Sequence, residues 1–453
     1  LACAVSVDDQ PKNQHIRPVP EKGVPQHTKI LIGLGIGAVA GIIANLLWSD
    51  SPQLEWLIKN IIYPFGQIFL RLIFMIVIPL ILSALTLGTA EMGDLRKLGK
   101  IGAKTLIYTV AVSTISVAIG ISLVNLVKPG KGISAENRAK LEETFGAKST
   151  QKTLEQAAEA KSWSETLLDI IPKNPFADMA GIFADNYKGG GVLAVMFLAI
   201  FLGIALTLSK SEKTAILIRF LEGVYEVVMT VIRMAMKLAP YAVAALIFSI
   251  TARMGFAILT TLGKYVLVVL FGLALHQFGV YGLVIKFLAK LNPLNFFRAI
   301  GEVMAIAFST SSSNATLPDA LRVSEEKVGI PREINSFVLT LGSTANQNGT
   351  ALYEGVTVLF LAQFFGVDLS LGQQITVIFA SILAGIGTAG VPGGSLPFIV
   401  LLLQTVGIPG EGIGIILGVD RILDMCRTVV NVTGDLTAAA FIAKSEGHKL
   451  KIS

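Results

Sequence analysis

Eight stretches of this chain are long and apolar enough to cross a lipid bilayer, and few folds absorb that much uncharged sequence. They lie near 30–48, 57–89, 99–127, 191–209, 215–250, 258–288, 333–365 and 410–442. About 20 apolar residues span the hydrocarbon core. The longer stretches therefore predict tilted or kinked helices, with Pro240 a candidate break in the fifth. Only 15% of the 453 residues are Asp, Glu, Lys or Arg, against about 25% in soluble domains. That is too little charge to cover three soluble domains. The two cysteines, Cys3 and Cys426, exclude a disulfide scaffold. The fold class is an all-α polytopic membrane protein.

The net charge of +6 is spread over short connections. It makes no continuous basic stripe, so no nucleic-acid partner is expected. In a membrane protein, Lys and Arg mark cytoplasmic loops instead. The segment before residue 30 carries Lys12, Arg17, Lys22 and Lys29, whereas the connection at 50–56 carries only Asp50 and Glu55. Arg96, Lys97, Lys100 and Lys104 follow the second span, Lys210 and Lys213 the fourth, and Lys286, Lys290 and Arg298 the sixth. With eight spans this alternation predicts a multi-pass protein of the plasma (inner) membrane with both termini cytoplasmic. Residues 1–28, polar and proline-bearing, read as a disordered cytoplasmic tail, and 447–453 as a second one. Residues 129–190, rich in Ala, Glu and Lys, read as an extracellular loop.

Two further regions, 292–325 and 371–406, are apolar but interrupted. The first interruption runs Ser309-Thr310-Ser311-Ser312-Ser313-Asn314-Ala315-Thr316-Leu317-Pro318. The second runs Gly385-Ile386-Gly387-Thr388-Ala389-Gly390-Val391-Pro392-Gly393-Gly394-Ser395-Leu396-Pro397. Neither carries a charge, and each sits between apolar runs too short to span. Exposed backbone at membrane depth survives only inside protein or beside a cavity. The pair therefore predicts two inverted re-entrant helical hairpins, the arrangement that marks a transporter binding site.

The last span carries the most chemistry. From Asp420 to Asp435, five of 16 residues are ionisable: Asp420, Arg421, Asp424, Arg427 and Asp435. At helical spacing Asp424, Arg427, Thr428, Asn431 and Asp435 share one face, with Asp420 and Arg421 at its margins. Each unpaired charge would cost roughly 2.5–3.5 kcal/mol at the bilayer centre. The stripe must line a polar cavity or neutralise itself in an Asp/Arg network that only locks the helix. The cavity is the stronger reading, because hydroxyl and amide groups suited to a zwitterion share the face. The preceding span contains Asn346-Gln347-Asn348-Gly349-Thr350-Ala351-Leu352-Tyr353-Glu354. Asn-Gln-Asn-Gly favours a turn, and an unwound stretch frees carbonyls for a hard cation or a ligand.

On these motifs residues 29–446 resemble the dicarboxylate/amino acid:cation symporter family, which includes archaeal aspartate transporters and mammalian excitatory amino acid transporters. The most specific matches are the serine-rich tip, Asn-Gly-Thr-Ala-Leu-Tyr, Gly-Thr-Ala-Gly-Val-Pro-Gly and Asp-Met-Cys-Arg-Thr…Asn-Val-Thr-Gly-Asp. The resemblance implies a homotrimer of scaffold and elevator-type transport domains. Scaffold helices would then be 29–98 and 191–250. A transport-domain helix would be 99–128. The transport core would be 251–446, with hairpins 292–325 and 371–406, a broken helix 333–365 and a last helix 410–442. It also implies that Arg427 holds a side-chain carboxylate and Asp424 an ammonium, that Thr428 and Asn431 help hold an α-carboxylate, and that Ser312, Ser313, Thr350, Val391 and Gly393 complete the pocket. Gly342, Asn346, Asn431 and Asp435 would form one sodium site. Arginine presents a planar fork that matches a carboxylate, so the chemistry agrees.

The chain departs from its relatives at the helix break. Many carry Asn-Met-Asp-Gly where this chain has Asn346-Gln347-Asn348-Gly349. The third-span wall is Thr109, Val112 and Ser113 instead of a tyrosine, a threonine and a serine. A carboxylate and a hydroxyl of a deep sodium site are thereby absent. Glu354 falls where mammalian members carry a proton-carrying glutamate. Ser311 replaces an arginine of the archaeal first tip, and Arg421 offers one elsewhere. The expected function is a secondary active symporter of aspartate or glutamate coupled to H+ and/or Na+, with no further cofactor. A C4-dicarboxylate symporter is the alternative, and an anion channel a weaker one. No histidine context supports an enzyme.

Overall fold

The computed structural model describes residues 25–48, 51–93, 100–131, 171–181, 191–209, 211–388, 390 and 392–452. The segment 1–24, most of 129–190 and Val391 lie outside the described residues. Among the described residues every regular element is helical.

Helix α1 is Gln26–Trp48. Helices α2 (Pro52–Leu57), α3 (Tyr63–Met75) and α4 (Val77–Gly93) follow, joined by a π turn and a single non-helical step at Ile76. Next come α5 (Lys100–Val127), α6 (Pro175–Gly181), α7 (Gly191–Ser209), α8 (Glu212–Met254) and α9 (Ala257–Ala274). Two π turns extend α9 to Leu288. Among the described residues four runs are apolar and long enough to cross a membrane: Thr28–Trp48, Pro52–Ala90, Lys100–Val127 and Ala257–Leu288. Only 33% of the apolar window in the first of them is buried. Ile36, Leu46, Ile107, Leu126 and Leu267 stay exposed, so these helices present apolar faces that suit lipid.

Helix α8 is one unbroken helix of 43 residues, so the break considered at Pro240 does not occur. Proline has no N–H for the carbonyl four residues earlier. That carbonyl, on Met236, accepts from Gln26 Nε2 at 2.5 Å. The bond lost inside the helix is replaced from α1. The two helices run in close contact along glycines. A Cβ on Gly33 would lie 2.2 Å from Pro240 O, and one on Gly37 2.4 Å from Ala244 O.

Seven helices follow, most of them packed on the last one. They are α10 (Pro293–Thr310), α11 (Ser313–Val323), α12 (Arg332–Ala345), α13 (Asn348–Phe365), α14 (Leu371–Gly387), α15 (Leu396–Thr405) and α16 (Leu417–Ser445). Asn292 caps α10 through Leu294 N and Asn295 N, with Pro293 in the first turn. Ser370 caps α14 in a reciprocal box with Gln373. Helix α16 packs on α9, α10, α11, α12 and α13. Every residue of α13 is buried, which makes it a central rod rather than an amphipathic surface helix.

Candidate functional site

Four chain segments converge on one small polar recess. The tip between α10 and α11 contributes Ser311 and Ser313. The tip between α14 and α15 contributes Thr388, Gly390 and Ser395. The break between α12 and α13 contributes Gln347 and Thr350, and α16 contributes Asp424, Arg427, Thr428 and Asn431.

The two tips touch. Helix α10 ends at Ser311 in the left-handed region (φ 51°), and Ser312 turns the chain into α11. Its Oγ accepts from Ala315 N at 3.1 Å as an N-cap. The same hydroxyl donates to Gly390 O in the second tip at 2.6 Å. Gly390 O also accepts from Asn314 N at 3.3 Å. Ser312 therefore ties the tips together beside the recess, while Ser313 lines it. Gly393, at φ +77°, donates its N–H to Asp424 Oδ2 at 3.2 Å. That positive φ suits glycine.

The floor is a charge cluster on α16. Arg427, 2% exposed, donates through Nε to Asp424 Oδ1 at 2.9 Å, and its Nη2 lies 2.8 Å from the same oxygen. Its Nη1 is 3.6 Å from Asp420 Oδ1 and has no hydrogen-bond partner among the described residues. The guanidinium sits 4.4 Å from the centre of the Tyr353 ring, within cation–π range. Tyr353 in turn donates to Asp420 Oδ1 at 2.7 Å. Arg421 Nη1 lies 3.2 Å from Asp424 Oδ2. Both sequence alternatives for the stripe are thus present together: the charges pair with one another, and they face a polar recess.

The break is held by neutral groups. Asn431 Oδ1 accepts from Gly349 N at 2.7 Å and Thr350 N at 3.2 Å. Asn431 Nδ2 donates to Gln347 Oε1 at 2.5 Å and Thr350 Oγ1 at 3.0 Å. Below it, Ser113 Oγ donates to Asn348 Oδ1 at 2.5 Å, and Asn348 Nδ2 donates to Tyr281 OH at 2.9 Å. Tyr281 OH donates to Val430 O at 3.0 Å, and Ser116 Oγ to Asn348 O at 2.8 Å. Both ends of the Asn348 amide are used. Thr109 and Val112 are buried on the same side of α5.

Asp435 lies directly on the backbone of Gly342, where an added Cβ would sit 2.3 Å from its Oδ1. Asn346 Nδ2 donates to Asp435 Oδ1 at 2.9 Å, and Asn346 Oδ1 has no partner among the described residues. Of the four residues expected around a sodium ion, Gly342, Asn346 and Asp435 meet here. The Asn431 side chain serves the break, and the part the resemblance implies for Asn431 in such a site is its backbone carbonyl. Glu354 is fully buried. Its Oε1 is 3.5 Å from Thr388 Oγ1, its Oε2 has no partner among the described residues, and the Thr388 hydroxyl is closer to Ala384 O at 2.8 Å.

Of the pocket residues expected from sequence, Ser313, Thr350, Asp424, Arg427, Thr428 and Asn431 line the recess. Ser312 and Gly393 brace it, and Val391 lies outside the described residues. Gln347 and Tyr353 were missed as site residues. The signal for Tyr353 was its helical spacing from Thr350, which sets both on the α16-facing side of α13. For Gln347 the signal was a polar side chain inside a buried helix break.

The chain matches the profile of the sodium:dicarboxylate symporter family over residues 27–445. It is 37% identical over 413 residues to the proton/sodium-glutamate symport protein of Bacillus caldotenax, covering 91% of this chain and 93% of the relative. It is 36% identical over 423 residues to the proton/glutamate-aspartate symporter of Escherichia coli, covering 93% and 92%. It is 33% identical over 416 residues to the C4-dicarboxylate transport protein of Bacillus subtilis, covering 90% and 92%. The chain belongs to the sodium:dicarboxylate symporter family and is a multi-pass membrane protein.

Proposed function

From this membership we propose that the chain is a secondary active symporter that carries aspartate and glutamate across the plasma (inner) membrane, driven by H+, Na+ or both. The observation that carries the reading is the Arg427–Asp424 pair at 2.8 Å in a shared recess. An acidic amino acid offers a carboxylate and an ammonium at a matching separation. Each group can replace one half of the internal pair, so the ligand enters without leaving a buried charge alone. A neutral amino acid would strand Arg427, at several kcal/mol. Thr428 and Thr350 supply hydroxyls for the α-carboxylate, and the two tips close over the ligand.

The wider architecture goes with this reading. It is a homotrimer with both termini cytoplasmic and eight spans plus two re-entrant hairpins. The scaffold is 29–98 with 191–250, and a transport domain is built from 99–128 and 251–446 that moves as an elevator. A sodium ion would use Asp435 with backbone carbonyls of Gly342, Asn346 and Asn431, a donor set suited to a hard cation. The neutral network around Asn348 supports fewer sodium ions per cycle, since a second buried cation there would lack charge compensation. Glu354 is the proton carrier: a buried carboxyl with one oxygen unpartnered among the described residues is cheaper to bury with its proton than without it.

A C4-dicarboxylate is the second reading. Arg421 favours it, because a second guanidinium beside Asp424 suits a second carboxylate. Uptake into liposomes by the purified protein separates these cases, with aspartate, glutamate and succinate compared while sodium and pH vary independently. Accumulation of aspartate that needs an inward cation gradient supports symport of amino acids. Good succinate uptake with poor aspartate uptake selects the second reading. Equilibration without accumulation selects a channel.

A further inference from the structure

We infer that residues 446–452 form a strap across the base of the first hairpin, with Lys451 as its latch, and that this strap sets how firmly the α10–α11 tip is held over the recess. Such a strap acts whatever ligand the recess takes.

The strap begins where α16 stops. Gly447 stands at φ +89° and donates to Lys444 O at 3.1 Å, while His448 N reaches Ala443 O at 3.1 Å. These two bonds make a Schellman turn, the left-handed stop that glycine allows, and the chain turns toward the end of α11. The helix end itself is fixed from α5. Lys104 Nζ donates to Ser445 Oγ at 2.7 Å and pairs with Glu446. Leu450 and Ile452 then pack against the core.

Between those two apolar residues, Lys451 meets the π turn Ser324–Val328 that ends α11. Its backbone N–H donates to Val328 O at 2.9 Å. Its ammonium donates to Glu326 O at 2.9 Å and Glu325 O at 3.4 Å. A cation thus sits on the last carbonyls of a helical segment, where the backbone dipoles favour it. The contact is close. Gly329 stands at φ +83°, and a Cβ there would lie 2.7 Å from Lys451 Cγ.

The hairpin has two other fasteners. At the tip, Ser312 donates to Gly390 O. Along the arms, Glu302 of α10 accepts from Arg322 Nη2 at 2.6 Å and Lys327 Nζ at 2.8 Å. The strap adds a tie from the base to the end of α16, the helix that carries Asp424 and Arg427. Helix α11 is a stiff lever between base and tip, so a shift at Val328 reaches Ser312 and Ser313 beside the recess. Lys451 is exposed and bonds to carbonyls, so water competes for its ammonium and the latch can release.

The test is hydrogen–deuterium exchange of the purified full-length protein without ligand, read by mass spectrometry on peptides covering 309–318, 324–330 and 447–452. Lys451→Met keeps a side chain of similar length and removes the ammonium. One cation at a helix terminus changes an opening equilibrium about two- to fivefold, so exchange should speed up by that factor in all three peptides. Lys451→Arg should keep the wild-type rates. Gly447→Val carries the test by a second route. A side chain there meets open space, so the substitution acts on the turn alone. It should speed exchange in the same three peptides about fivefold or more. Peptides from α1 and α8 should be unchanged in every variant. Faster exchange confined to 447–452, with the tip peptide at its wild-type rate, would leave the segment packed but without hold on the hairpin and overturn the inference. So would wild-type rates in all three peptides for both Lys451→Met and Gly447→Val.

Discussion

The α1–α8 contact and the contact between the α12–α13 break and α16 are both tight and buried, yet different forces hold them. Between α1 and α8, glycines let backbone meet backbone, and van der Waals packing dominates. At the break and on α16, the fixed groups are amides, hydroxyls, guanidinium groups and carboxylates, the amides bonded across segments and the charges paired along α16 itself. Dispersion contacts have no substitute that a solute can supply. Hydrogen bonds and ion pairs do, because a ligand with the right groups can take over one side. The first region is suited to bear load and the second to exchange partners.

Removing a guanidinium from the exchanging region gives the largest expected effect. Arg427→Ala leaves Asp424 and Asp420 without their shared cation, which should cost about 3–5 kcal/mol and abolish uptake of acidic amino acids. Arg427→Cys should in addition move preference toward small neutral amino acids. Thermal melting in detergent with and without aspartate reads both. A variant that melts like wild type and still gains stability from aspartate would erase the contrast.

Gly37→Leu tests the other region. Its side chain starts 2.4 Å from Ala244 O, so the helices must separate, at roughly 1–3 kcal/mol. The loss should be the same with and without ligand. Wild-type protein and Gly37→Leu should both gain about 2.7 kcal/mol from a ligand at 100 times its dissociation constant. If the glycine variant alone lost that increment, the two regions would be coupled.

Glu354→Gln should change folding stability by less than about 1 kcal/mol, since the amide is near-isosteric and one carboxyl oxygen makes no bond to be lost. It should instead remove the dependence of uptake on pH. With Glu354 present, uptake should fall as external pH rises. Full dependence on sodium in both proteins, with no effect of pH in either, would remove Glu354 from coupling.

The smallest effect belongs to a half-buried pair outside both regions. The Lys104 ammonium hydrogen-bonded to Glu446 holds its carboxyl below the usual 4.5. A lowered carboxylate contributes stability above its ordinary range and loses it as pH falls through the lowered value. Solvent screens such pairs, so Glu446→Gln should leave the melting point at pH 7 unchanged.

Hydropathy alone located the long apolar helices. The runs at 99–127 and 191–209 are helices at Lys100–Val127 and Gly191–Ser209. The break was legible as Asn-Gln-Asn-Gly, and the chemistry of α16 as a helical stripe, because both are local patterns. Pro240 misleads for the complementary reason. Its local rule predicts a kink, and the donor that rescues the Met236 carbonyl lies 210 residues away. The pairing of Arg427 with Asp424 was within reach, being three residues apart on one helix. Saturation of Asn431 by Gln347 was not, because 84 residues separate them and only the packed fold sets their amides in line.

The internal pairing on α16 also has an electrical meaning. Arg421 and Arg427 balance Asp420 and Asp424, whereas Asp435 has an amide for a neighbour and no cationic side chain paired with it among the described residues. In the proposed transport cycle the pairs would be blind to the membrane voltage, because each is a neutral unit. One unit charge carried through 100 mV exchanges about 2.3 kcal/mol with the field. Asp435 and the net charge of the bound ligand are what that field would act on. In that proposed cycle, the number of cations bound beside them would decide whether the voltage favours the loaded protein's inward step, opposes it, or has no effect on it.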